Sequence, residues 1–170
     1  TNINEKTMVN DLNYKSFKNI TSMGFVTDYE FLLKNFNSDS RNSKTFKNEL
    51  DQNLQSIIKY QIQYPMKKNG VKFDSILTPI LSAQFSPNKS KNIKGSDRII
   101  DYNNIFSLNR IGSNETVEGG ESITLGNQFS KIDKTGNEIF KLNLASMFRN
   151  KENLDLPEKS TLNRKSSNVV

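Results

Sequence analysis

The residues from Leu50 to Met66 sort by parity. The even positions are Leu50, Gln52, Leu54, Ser56, Ile58, Tyr60, Ile62, Tyr64 and Met66, mostly apolar or aromatic. The odd positions are Asp51, Asn53, Gln55, Ile57, Lys59, Gln61, Gln63 and Pro65, mostly polar. A helix would scatter the two sets around its circumference, whereas a strand puts them on opposite faces. The run also exceeds the ~5–6 residues typical of strands in soluble proteins.

The same alternation recurs along the chain. Phe25, Thr27, Tyr29, Phe31 and Leu33 alternate with Val26, Asp28, Glu30, Leu32 and Lys34. A further strand is predicted from Phe73 to Phe85, and another from Phe140 to Arg149. Weaker ones are predicted over Ser122 to Lys131 and Lys6 to Phe17, the latter with Met8, Leu12 and Tyr14 on one side. Tyr102 to Arg110 is a short candidate, and Val169-Val170 reads as the start of one more strand. Short hairpins are expected at Met66 to Gly70, where Asn69-Gly70 favours positive φ, and at Lys131 to Glu138. Longer polar connections are expected at Asn35 to Lys47, Ser86 to Asp101, Gly112 to Glu121 and Asn150 to Ser166. Pro79 lies inside a predicted strand, where it removes a ladder donor and marks a bulge, a kink or a weakly paired spot.

Strands of about ten residues with opposed faces, joined by loops of unequal length, are the pattern of an antiparallel up-and-down transmembrane β-barrel. In hydrocarbon every backbone N–H and C=O must be paired, so spanning strands close into a barrel. Tyr64, Phe73, Phe85 and Phe148, near strand ends, suit the interfacial girdle. A soluble β-sandwich also alternates. Strand length and abundant Asn, Gln, Lys and Ser favour the membrane barrel. About seven strands is fewer than the eight or more of closed bacterial barrels, so residues 1–170 are expected to be part of a larger one. The lack of an initial methionine points the same way, and Thr1 to Asn19 has no apolar core of a signal peptide.

Composition narrows the function. Hydrophobic residues make up 34% of the 170 residues, and mean hydropathy is −0.68. The 11 Phe and 5 Tyr are spread evenly, which argues against disorder. Cys and His are both absent, so neither a disulfide nor the commonest metal ligand and general base is to hand. No paired carboxylates or nucleophile constellation stand out, and no catalytic, cofactor or metal site is expected. The net charge of +6 would fit an anionic partner, although frequent Lys and Asn also follow from an A+T-rich coding sequence.

The densest motif runs from Asp97 to Gly126: D-R-I-I-D-Y-N-N-I-F-S-L-N-R-I-G-S-N-E-T-V-E-G-G-E-S-I-T-L-G. It resembles the LptD family, whose members carry a run like N-x-F-S-x-N-R-x-x-G-x-D-R-x-E-G-G followed by a strand ending near a glycine. The matching residues are Asn104, Phe106, Ser107, Asn109, Arg110, Gly112, Glu118, Gly119, Gly120 and Gly126. Asn114-Glu115 stands where many members carry Asp-Arg, so an ion pair made there by the family is not expected here.

The resemblance implies lipopolysaccharide assembly into the outer leaflet of the outer membrane, not catalysis. It implies lipopolysaccharide as cargo, an LptE lipoprotein inside the barrel, surrounding outer-membrane lipid, and no nucleic acid. An LptA-like periplasmic bridge would deliver cargo through an N-terminal jellyroll domain not included in residues 1–170. Asp97, Arg98, Asp101 and Arg110 would then pin a loop into the barrel mouth by ion pairs; a solvated loop is the plainer alternative. Gly112, Gly119 and Gly120 would serve backbone geometry. Lys59, Lys72, Lys141 and Arg149 share the polar faces of their strands and are candidates to meet cargo or LptE, or simply water. Two other functions fit the pattern alone: a porin or receptor barrel with another cargo, and a soluble basic β-domain binding nucleic acid or glycan.

Overall fold

The computed structural model describes residues 2–44 and 46–170. Its strands are β1 (Asn4–Lys15), β2 (Asn19–Ile20), β3 (Val26–Arg41), β4 (Asp51–Gln63), β5 (Met66–Lys68), β6 (Phe73–Ser86), β7 (Gly120–Asp133) and β8 (Glu138–Arg149). All eight lie in one sheet of order β1-β3-β4-β6-β7-β8, with β2 on β3 and β5 on β6. Every pairing is antiparallel, which makes an up-and-down meander. The sheet is open: β1 and β8 end the strand order, and the far side of β8 is bordered by residues 165–170, whose backbone bonds it at Arg149, Met147 and Ala145.

The alternation located the long strands to within a few residues, with three differences. Asn35 to Lys47 is not all loop, because β3 continues to Arg41, its end matched to the start of β1 (Asn4↔Arg41) and its Ser38 to Asp51 of β4. Tyr102 to Arg110 is not a strand. The Asp101 carboxylate accepts the N–H groups of Asn103 (2.8 Å) and Asn104 (3.0 Å), and the Asn104 side chain accepts that of Asp101 (3.0 Å). These local bonds hold turns where a ladder would need free backbone. Finally, the predicted Leu50–Met66 strand is interrupted. Gln63 pairs with Ile80 and Met66 with Leu77 in one continuous register, but Tyr64-Pro65 and Thr78-Pro79 face each other between them. The Tyr64 N–H still reaches the Pro79 carbonyl (3.1 Å), but neither proline has an N–H to give back.

One face of the sheet is bare and apolar; the other is covered and mixed, mostly polar but with Leu32, Phe36, Ile57, Ile80, Ala145 and Met147 buried among its polar residues. On the bare face Leu81 is 40% exposed and Phe85 52%, with Tyr29, Ile58, Tyr60, Ile123, Leu125, Leu142, Leu144 and Phe148 between them. The opposite parity carries Asp28, Lys34, Gln55, Lys59, Gln61, Ser82, Gln84, Ser122, Thr124 and Arg149, all buried. A soluble sheet would have this reversed.

Cross-strand register lines up one polar row on the covered face: Lys15↔Glu30, Glu30↔Lys59, Lys59↔Gln84, Gln84↔Ser122 and Ser122↔Arg149. The row starts at the last residue of β1 and ends at the last residue of β8, at opposite ends of the sheet. This steady offset is the stagger of tilted barrel strands. Connections at one end are short: 16–25, which holds β2, then 69–72 and 134–137. Those at the other end are long: 42–50, 87–119 and the chain beyond Arg149.

Candidate functional site

The connection 87–119 folds back over the covered face. Its local sequence explains the direction. Ile105, Leu108 and Ile111 recur every third residue through successive turns, and all three are buried. Ile105 and Ile111 join Ile100, Ala145, Met147, Leu156 and Leu162 in one cluster, so the segment after β8 packs into the same core. Leu108 joins Leu32, Ile57 and Val117.

Polar side chains of the sheet capture the backbone of this connection. Lys59 Nζ donates to the Phe106 carbonyl (2.7 Å), and Gln84 Nε2 to that of Leu108 (2.7 Å). Gln55 Oε1 accepts from the Val117 N–H (2.7 Å). Where β4 has lost β6 as a partner, the Asn88 amide takes its place, accepting from the Ser56 N–H (2.8 Å) and donating to the Leu54 carbonyl (3.3 Å). The side-chain face that reads as water-facing in the sequence is therefore largely occupied in satisfying an irregular loop.

At the centre is a buried ion cluster. Arg110 makes a two-pronged contact with Glu118, Nε to Oε2 at 2.6 Å and Nη2 to Oε1 at 2.7 Å. Arg110 Nη1 also donates to Thr124 Oγ1 (2.8 Å), and Nη2 to Ser122 Oγ. Arg149, on β8, donates to the same Glu118 Oε1. Arg110 is 1% exposed and Glu118 3%. Burial opposes the charge on Glu118, but the two guanidiniums outweigh it and hold the carboxyl below the ordinary glutamate range. The cluster links Arg110 and Glu118, in the second half of the connection, to β7 and β8.

The other motif residues surround this lock. Arg98 Nε donates to the Arg110 carbonyl (2.8 Å), and Asn109 Nδ2 to that of Ser113 (3.1 Å). Asn104 holds the 99–105 turn through the Ile99 carbonyl (3.2 Å). Asp97 is exposed and pairs with Lys159, which keeps its carboxyl below the usual aspartate range. Gly112 and Gly120 have positive φ, 66° and 86°. The Gly119 N–H bonds Ser90 Oγ (2.8 Å). Gly126, in β7, makes room for the Phe106 ring: a Cβ there would lie 2.5 Å from Phe106 Cζ.

The buried ion pair that holds this connection joins Arg110 to a residue outside the charge group singled out in the sequence. Arg110 pairs with Glu118, not Asp97 or Asp101. Glu118 stands in a Gly-rich stretch, and nothing local marks it as the shared partner of Arg110 and Arg149. Of the four basic candidates, Lys59 and Arg149 are buried, with Lys59 Nζ also 2.9 Å from Glu30 Oε1. Lys72 and Lys141 are exposed near the short connections, Lys141 Nζ lying 3.6 Å from Glu138.

No curated protein matches the chain. A sequence model of the LptD family, described as LPS transport system D, matches residues 8–170. That span takes in all of β3 to β8 and the locked connection. The chain therefore belongs to the LptD family, whose members transport lipopolysaccharide to the outer membrane.

Proposed function

We propose that residues 1–170 form part of the wall of a transmembrane barrel that assembles lipopolysaccharide into the outer leaflet of the outer membrane. The observation that carries this reading is the polarity of the sheet: its bare face is apolar and its covered face mostly polar. The bare face meets lipid and the covered face lines the lumen. The short connections face the periplasm and the long ones the exterior, as in bacterial barrels generally. The jellyroll domain that would receive cargo from an LptA-like bridge lies outside this segment, and an LptE lipoprotein shares the lumen.

In this reading the connection 87–119 is an exterior loop folded into the lumen. It narrows the polar path beside β4, β6 and β7, and Glu118 fixes it there. Cargo presents phosphates and sugar hydroxyls to the lumen, where Lys141 offers a donor, while its acyl chains require the lipid-facing side. The motif from Asp97 to Gly126 acts by holding the loop, not by chemistry.

The test uses the full-length protein in cells depleted of their own copy. Surface lipopolysaccharide is measured alongside heat-modifiable migration of the barrel. Glu118→Ala is expected to keep heat-modifiable migration yet alter the rate at which new lipopolysaccharide reaches the surface. A folded variant with unaltered delivery would remove the loop from the transport path. A wild-type protein extractable without detergent would remove the barrel.

A further inference from the structure

The net positive charge of this chain is concentrated at one end of the sheet. The short connections and their flanks, residues 15–25, 63–74 and 131–141, hold eight lysines: Lys15, Lys18, Lys67, Lys68, Lys72, Lys131, Lys134 and Lys141. Their acidic residues are three, Asp74, Asp133 and Glu138, so this end carries five of the six net positive charges. Lys15 pairs with Glu30, Lys67 and Lys134 with Asp74, and Lys141 with Glu138. Lys18, Lys68, Lys72 and Lys131 are exposed and form no ion pair among the described residues.

A second observation concerns apolar side chains at the same end. Phe17 is 97% exposed, Val71 96%, Met23 75% and Ile20 72%. All four sit in connections, beyond or beside the bare face. Apolar tips beside long-stemmed lysines are the composition of a membrane interface, where stems and rings sit among acyl chains and ammoniums reach the phosphates.

We infer that this rim binds the anionic phospholipid headgroups of the leaflet at the short-connection end. The inference rests on the barrel reading, which places the rim at the membrane surface. The occupant follows from charge: unpaired ammoniums call for phosphate anions, and the apolar tips call for a lipid rather than a soluble polyanion. Such attraction fades within a Debye length, so only residues at the surface contribute.

The test reconstitutes the full-length protein in phosphatidylcholine vesicles containing about 30% phosphatidylglycerol, enough to give an anionic surface. Electron spin resonance with spin-labelled phosphatidylglycerol or phosphatidylcholine reads their relative association with the protein. Wild type is expected to prefer the anionic label. Each well-placed lysine contributes up to about fivefold, so the variant K18Q/K68Q/K72Q/K131Q should show no preference between the two labels. A control at the other end, K44Q/K89Q/K151Q/K165Q, should keep it. No wild-type preference, or a preference lost only in the control, overturns the inference while leaving the barrel reading intact. A preference displaced by soluble inorganic polyphosphate but insensitive to the first variant overturns it as well. A protein that fails to insert overturns both readings.

Discussion

Replacing Glu118 by Gln removes one negative charge from between two buried guanidiniums. The structure sets the size of the effect. Arg110 loses its charged partner at 2.6 and 2.7 Å, and Arg149 loses the same carboxylate. Both arginines are buried, so neither recovers its hydration without moving. Breaking a buried ion pair by neutralising one partner costs about 3–5 kcal/mol. Ser122, Thr124 and the Ile105 carbonyl still accept from Arg110, which favours the lower part of that range. The cost falls on the loop rather than the wall, because β7 and β8 keep their backbone ladder from Ser122↔Arg149 onward. Hydrogen exchange on the full-length protein measures this directly. Amides from 99 to 119 should exchange roughly 10²–10³-fold faster in Glu118→Gln, the factor corresponding to that energy. Amides in the middle of β7 should be unchanged. Unchanged exchange at 99–119, or equal acceleration across loop and wall, would refute the claim that this cluster holds the loop.

The same group sets a pH dependence. Its folded-state carboxyl lies below the ordinary value of about 4.3, so the undocked loop takes up the proton first. Docking strength is therefore full above that value and declines as pH falls through the lower folded one; proteolysis of the loop between pH 6 and 7 should be constant and rise only in stronger acid. Gly126→Ala should displace the Phe106 ring at a cost of about 1–3 kcal/mol, and combining it with Phe106→Leu should recover part of that in thermal melts. Lys59→Met keeps the stem but loses bonds at 2.7 and 2.9 Å, costing about 1.5–3 kcal/mol, seen as faster exchange near Phe106. Asn88→Ala should weaken the Ser56 amide's protection by about 1 kcal/mol, leaving β6 and β7 intact.

The strands were legible because each long one must satisfy two unlike environments, and Ile58, Tyr60 and Ile62 against Lys59 and Gln61 record that demand. The end of β3 was not. Asn35, Asn37 and Asp39 are as polar as Ser38 and Ser40, so contrast between faces vanishes and pairing with β1 and β4 decides the structure. Tyr102 to Arg110 misled because Tyr102, Phe106 and Leu108 share one parity, as in a strand. The spacing of three from Ile105 through Leu108 to Ile111 was the better signal. The motif glycines announced tight geometry, but only Gly126's contact with Phe106 shows what the space is for. The lock itself was half-visible. Arg110 was marked as an anchor, while its bond to Glu118 depends on loop closure, and the addition of Arg149 on pairing of β7 with β8.

The transverse row from Lys15 to Arg149 acts as a combination that checks strand alignment. Its first three members alternate in charge, and each belongs to a different strand. A slide of one position would turn Glu30 toward hydrocarbon. A slide of two would preserve the greasy side: in one direction it leaves Lys59 opposite Leu32, with no acid, and in the other it meets Asp28. Backbone bonds alone accept every such error equally well; the charges penalise the one-position slide and the two-position slide toward Leu32, which biases the wall toward its true alignment.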